Sequence, residues 1–183
     1  MKTFTESLRL DEISLKPLKG LLGLRLYRIL APCLQVAGQE FTAPSLSFEK
    51  EAKQYVVIAC EWFESPYTWT DYWRFSISEQ VQPAGIEISP DGAIVSPCTI
   101  HFYQPHTISS IQIRSSRWDW SNTEEEEHIE FDSLLLFNTH EGRQFCIWCH
   151  ANGPGIATEV HFTQDGELIS DLLKSTHRRL HLE

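Results

Sequence analysis

The chain has 183 residues, 42% of them hydrophobic and 11% aromatic, which is ample for one sizeable core and argues against disorder. With 15 Lys and Arg against 25 Asp and Glu, the net charge of −10 repels phosphate backbones and anionic bilayers, so neither nucleic acid nor a membrane surface is expected as a partner. Five scattered cysteines, an odd number, favour reduced thiols in a cytoplasmic protein over a secreted disulfide framework.

The opening MKTFTESLRLDEISLKPLKG mixes charges with its leucines and does not read as a secretory signal. No apolar run nears the roughly 18 residues needed to span a bilayer. Period-two alternation then begins. GLRLYRIL places Leu22, Leu24 and Leu26 on one face and Gly23, Arg25 and Tyr27 on the other. SLSFE, QYVVIACEWF and DYWRFSIS follow as strands, and then GIEIS, GAIVS and CTIHFYQ, separated by Pro90-Asp91-Gly92 and by Pro97. TISSIQIRSS, HIEFDSLLLF, RQFCIWCH and IATEVHFTQ bring the set to about eleven strand-like runs. Turn residues fall between them, at Thr139 to Gly142, Asn152 to Gly155 and Asp165-Gly166. The spacing leaves no room for crossover helices, so the strands should pair antiparallel.

Only GELISDLLKS looks helical, with Leu168, Ile169, Leu172 and Leu173 in one apolar stripe and Lys174 toward its end. The expected fold is therefore mainly β: one domain over residues 1–183, an antiparallel sandwich or curved barrel-like sheet with a short C-terminal helix. A weak pseudo-repeat of about 87 residues, roughly 20–90 against 107–175, sets Leu24, Leu26, Trp73 and Phe75 against Ile111, Ile113, Val160 and Phe162. Alternating patterns match one another easily, so chance is the stronger explanation and duplication the weaker one.

The sharpest motif is Cys146-Ile147-Trp148-Cys149-His150. Its spelling fits haem attachment, but no export signal accompanies it and the only methionine is Met1. Strand formers flank both thiols, and residues three apart on a strand point to opposite faces. The pair is thus expected neither to share a metal nor to bond to each other. No cofactor is expected.

Two aromatic stretches carry the candidate contacts. In WFESPYTWTDYWRF, Trp62 or Trp73 should be core, while Tyr67 and Trp69 sit in a loop beside Asp71. In RWDWSNTEEEEH, Trp118 and Trp120 precede Glu124, Glu125, Glu126 and Glu127, which read as a solvated loop or an acidic patch beside aromatic anchors. The glutamates lack the ligand spacing of an EF-hand. His101 and His161 each alternate with apolar residues, and a shared site with Glu159 or His106 would require their strands to be neighbours. Glu61, Glu64 and Asp71 could supply a general acid and base, and no nucleotide-binding or hydrolase motif is present.

The resulting expectation is a non-enzymatic protein-interaction module, inhibitor- or immunity-like, whose acidic surface and loop aromatics meet a basic protein partner. The alternative is a β-barrel that binds a small apolar or sugar-like ligand among its tryptophans.

Overall fold

The computed structural model describes residues 2–51, 53–65, 71–91, 93–122, 124–149 and 159–183, Asp71 by its backbone only. Its elements in chain order are β1 (Lys2–Leu8), α1 (Glu12–Lys19), β2 (Arg25–Ala31), β3 (Gln35–Ala37), β4 (Glu40–Ala43), β5 (Ser45–Glu51) and β6 (Gln54–Glu64). They continue with β7 (Asp71–Gln80), β8 (Cys98–Ser121), β9 (Glu125–Thr139), β10 (Gln144–Cys149), β11 (Val160–Thr163), α2 (Gly166–Lys174) and β12 (His177–Leu182).

The protein is mainly β, as the alternation implies. Among the described residues, twelve strands form one open sheet in the order β3-β4-β11-β10-β9-β8-β2-β5-β6-β7, with β1 on β9 and β12 on β8. Strand β8 runs for 24 residues and belongs to both halves of this sheet. Its first part, from Cys98 to Thr107, pairs with β2, and its later part, from Ile108 to Ser121, pairs with β9. The sheet curves about β8, so β5–β7 face β9–β11 across a shared core.

Alternation supplies that core. Phe48 of β5 stacks on Phe137 of β9 at 5.8 Å, Phe137 stacks on Phe145 at 4.6 Å, and Phe145 packs on Phe162 at 5.4 Å. All four rings are fully buried, and each ring of this size contributes about 3–5 kcal/mol by truncation. The opposite face of β9 and β10 is covered by α2, whose Ile169 is buried against Leu134, Leu136, Cys146 and Trp148. Asp165 caps α2, its Oδ1 accepting from Glu167 N at 2.8 Å and Leu168 N at 3.2 Å.

A buried carboxylate ties the chain's two ends to the sheet. Asp132 Oδ2 accepts from the Leu10 amide at 2.7 Å, and Oδ1 accepts from Ser115 Oγ at 2.7 Å. Arg179 of β12 donates from Nε to Asp132 Oδ1 at 2.8 Å and from Nη2 to Oδ2, a bidentate pair.

Several expectations need correction. The opening segment, to which the sequence pattern assigns no element, forms β1 and α1. Asp11 caps α1 by accepting from Ser14 N at 2.8 Å, and Leu15 and Leu18 supply its buried face. Strand β1 pairs with β9 in parallel, a partnership that no local spacing announces. The alternation assigned to Leu22, Leu24 and Leu26 starts too early: residues 21–23 turn, with Gly23 at φ +77° and its N–H on Ile108 O, and β2 begins at Arg25. CTIHFYQ and TISSIQIRSS are one strand rather than two, because β8 passes through Pro105 where the ladder to β2 shifts register. GIEIS and GAIVS shrink to a single bridge between Ile88 and Ile94. The glutamate run is not a loop: Glu125 to Glu127 open β9, and Asn122 Oδ1 closes the turn by accepting from the amides of Glu124 and Glu125 at 2.8 and 2.7 Å. After α2 the chain returns to the sheet as β12.

Candidate functional site

The cysteines set the frame of the site. Residues 144–149 form a strand, and the two thiols of the motif diverge as period two requires. Cys146 packs under α2, whereas Cys149 reaches the main core. The expectation of five reduced thiols is corrected, because Cys149 is disulfide-bonded to Cys60 of β6, with Cα atoms 6.1 Å apart. The bridge joins the two facing halves of the sheet. Cys33, Cys98 and Cys146 are free, and burial pushes the Cys146 thiol up to about 12.

Beside this bridge lies an open groove of about 430 Å³. Trp118 and Ser116 of β8 form one wall with Phe131, Ser133 and Leu134 of β9. Trp148 and Cys149 close the end of β10, Tyr72 and Trp73 come from β7, and Leu172, Ser175 and Thr176 come from the end of α2. That helix end is held by Arg114, which donates from Nε to Thr176 Oγ1 at 2.8 Å and from Nη2 to the carbonyls of Leu173 and Thr176. Each wall is therefore positioned by a separate device: sheet pairing, the disulfide, and the Arg114 clamp.

The groove is mostly ring surface with a few hydroxyls, since five of its lining side chains are aromatic. Trp73 is 6% exposed, and its indole Nε1–H meets no acceptor among the described residues. A buried donor left in that state costs about 1–3 kcal/mol. Trp118 is 53% exposed and stands at the rim. The Ser116 and Ser133 hydroxyls bond each other at 2.7 Å. Behind Tyr72, the buried Glu127 accepts from the Tyr72 hydroxyl at 3.4 Å and from Ser65 Oγ.

The sequence candidates separate. Of Trp62 and Trp73, one of which is expected in the core, Trp73 is buried and Trp62 is 51% exposed. Tyr67 and Trp69 lie outside the described residues, as does the Asp71 side chain. Trp118 joins the groove, while Trp120 sits half-buried opposite Glu127. The four glutamates do not share one surface. Glu124 is exposed at the hairpin turn, Glu125 is half-buried beside it, and Glu127 is fully buried. Glu126 lies on the face away from Trp118, 3.1 Å from His128 Nε2. His128 Nδ1 meets Asp119 at 2.6 Å. The bond from Arg117, followed by that from His128, holds the Asp119 carboxyl below its ordinary range.

His101 is exposed on β8 opposite Arg28, whereas His161 is buried against Trp148, with ring centroids 5.1 Å apart, and pairs with Glu40 at 2.5 Å. Glu61 pairs with Arg74 rather than with a second carboxylate. Among the described residues no group of three or more His, Cys, Asp or Glu is placed to hold a metal ion. Sequence reasoning did not find Phe131, Ser116, Leu172 or Thr176. They come from three separate elements, and no spacing along the chain links them.

No family model matches the chain, and neither a curated protein nor a solved structure is significantly similar to it.

Proposed function

We propose that the protein is a binding module that takes a flat, largely apolar ligand bearing an acceptor oxygen into the groove beside α2. The observation carrying this reading is the aromatic groove itself, whose lining includes Trp73, an indole with a buried Nε1–H that has no acceptor among the described residues. Its volume of about 430 Å³ lies in the range of small-molecule sites, and rings with a few hydroxyls are the usual lining of one. The rings supply stacking area, and the indole supplies direction. The acidic-face reading draws support only from Glu124 and Glu125 near the hairpin turn, since Glu126 faces away from Trp118 and Glu127 is buried. The Cys60–Cys149 bridge supports an oxidising compartment as the place of action.

The test compares coumarin, which carries a carbonyl, with naphthalene, which has none, by calorimetry and tryptophan emission. Coumarin binds more tightly than naphthalene, Trp73→Phe removes the difference, and Trp118→Ala weakens both without changing the melting temperature. Equal binding of the two probes, or no saturable binding of either, rejects the reading.

A further inference from the structure

A second pocket lies at the far end of β8, away from the groove. Four chain segments converge there around about 310 Å³. They are the β3–β4 turn with Gln39, β8 with Tyr103, Gln104 and His106, the β9–β10 turn with Arg143, and Gln164 just after β11. The backbone beneath is firmly held. Phe102 packs its ring on Phe145 at 5.8 Å and on Phe162 at 6.3 Å, which anchors Tyr103 and Gln104 at the rim.

Three properties distinguish this pocket. Its wall contains no carboxylate, in a chain with 25 acidic residues against 15 basic ones. The one nearby, Glu141, is committed to the Thr107 amide at 2.9 Å. Most hydrogen-bonding groups of the wall are also uncommitted, Gln144 excepted, whose amide donates to Asn138 Oδ1 at 2.8 Å. The Arg143 guanidinium and the side-chain amides of Gln39, Gln104 and Gln164 have no partner among the described residues, although most arginines here are paired, stacked or bonded to carbonyls. His106, with only 14% of its side chain exposed, has no hydrogen-bond partner for Nδ1, and the Glu141 carboxylate stands 3.8 Å away. Finally, Tyr103 presents its whole ring to solvent, at 101% relative exposure.

These groups have complementary uses. A free guanidinium is a fork for a carboxylate. Primary amides, each with donors and an acceptor, match neighbouring hydroxyls. An exposed aromatic ring is a platform for the apolar face of a sugar ring. We propose that this pocket is a separate binding site for an acidic monosaccharide, a uronic acid whose carboxylate is held by Arg143 and whose ring lies on Tyr103. The pocket's volume suits one such ring.

The experiment follows the amide and side-chain resonances of the isotopically labelled full chain during titration with sodium glucuronate, glucose and acetate. Glucuronate gives saturable shifts at Gln39, Gln104 and Gln164 and binds about tenfold or more tightly than glucose, the size expected of a charge-assisted pair. Acetate, which lacks the ring, binds more weakly than glucuronate. Arg143→Gln brings glucuronate down to the level of glucose, and Tyr103→Ala weakens glucuronate and glucose alike. Both positions are exposed, and unchanged spectra elsewhere show that the variants fold. Trp118→Ala in the groove leaves the titration unaltered, which keeps this site independent of the aromatic one. The proposal is overturned by the absence of saturable shifts, by equal binding of glucose and glucuronate, by acetate binding as well as glucuronate, or by an Arg143→Gln variant that binds like the parent.

Discussion

Cys60 and Cys149 are bonded to each other across the two halves of the sheet, 89 residues apart in sequence and 6.1 Å apart at Cα. Cys149 is at once the last residue of β10 and part of the groove wall. A thiol titration in denaturant without reductant should therefore count three sulfhydryls, from Cys33, Cys98 and Cys146. A count of five would remove the bridge. Replacing Cys60 and Cys149 by serine lowers stability by about 2–5 kcal/mol in denaturant melts, the usual scale for a bridge closing a long loop.

Asp132 is 1% exposed and gathers the Leu10 amide, Ser115 and Arg179 on its two oxygens. Asp132→Ala leaves Arg179 and a buried amide without their acceptor. The expected loss is about 3–5 kcal/mol, measured as a shift of the denaturation midpoint. Asp132→Asn keeps the size and part of the bonding and falls between the two. If Asp132→Ala were nearly neutral, the carboxylate would not be what joins the β1–α1 connection, β8 and β12.

Burial holds the Cys146 thiol in its neutral form, moving it from 9.0 up to about 12. A raised thiol value makes the folded state bind more protons than the unfolded one as pH rises. Stability is thus unaffected below the unfolded value and falls as pH climbs from 9.0 toward about 12. Iodoacetamide at pH 8 should label exposed Cys33 readily and leave Cys146 unmodified until the chain unfolds. Labelling of Cys146 at the rate of Cys33 would contradict its packing beneath α2.

Arg114 spends its guanidinium on the end of α2. Arg114→Met keeps the stem and removes those bonds. The expected cost is about 1.5–3 kcal/mol, with faster amide exchange in the last turn of α2 and weaker coumarin binding. An unchanged exchange rate there would mean that the helix end holds its place through Leu172 and Leu173 alone.

Period two carried most of the fold in the sequence. β5, β6, β7, β9 and β10 lie where the apolar residues alternate, and α2 lies where Leu168, Ile169, Leu172 and Leu173 form a stripe. The failures share a physical cause. β1 and β12 take their partners from distant chain, so their short mixed sequences, Lys2–Leu8 and His177–Leu182, carry no local signature. Trp62 and Trp73 are directly paired, yet only Trp73 is buried, because burial depends on which elements lie over each position. The same limit hid the groove. Trp118 stands out in the sequence, but the groove residues beside it, Phe131, Leu172 and Trp73, arrive from three other elements. The divergence of Cys146 and Cys149 was legible from alternation alone; the partner of Cys149 was not.

One further consequence attaches to β8. Strand β8 runs for 24 residues and is laddered to β2, β9 and β12, so opening it along its length breaks all three pairings at once. The aromatic groove and the polar pocket sit on opposite stretches of that single strand. Their protection against amide exchange should therefore be lost together, in one cooperative opening, so that a ligand held at either end slows the opening felt at the other.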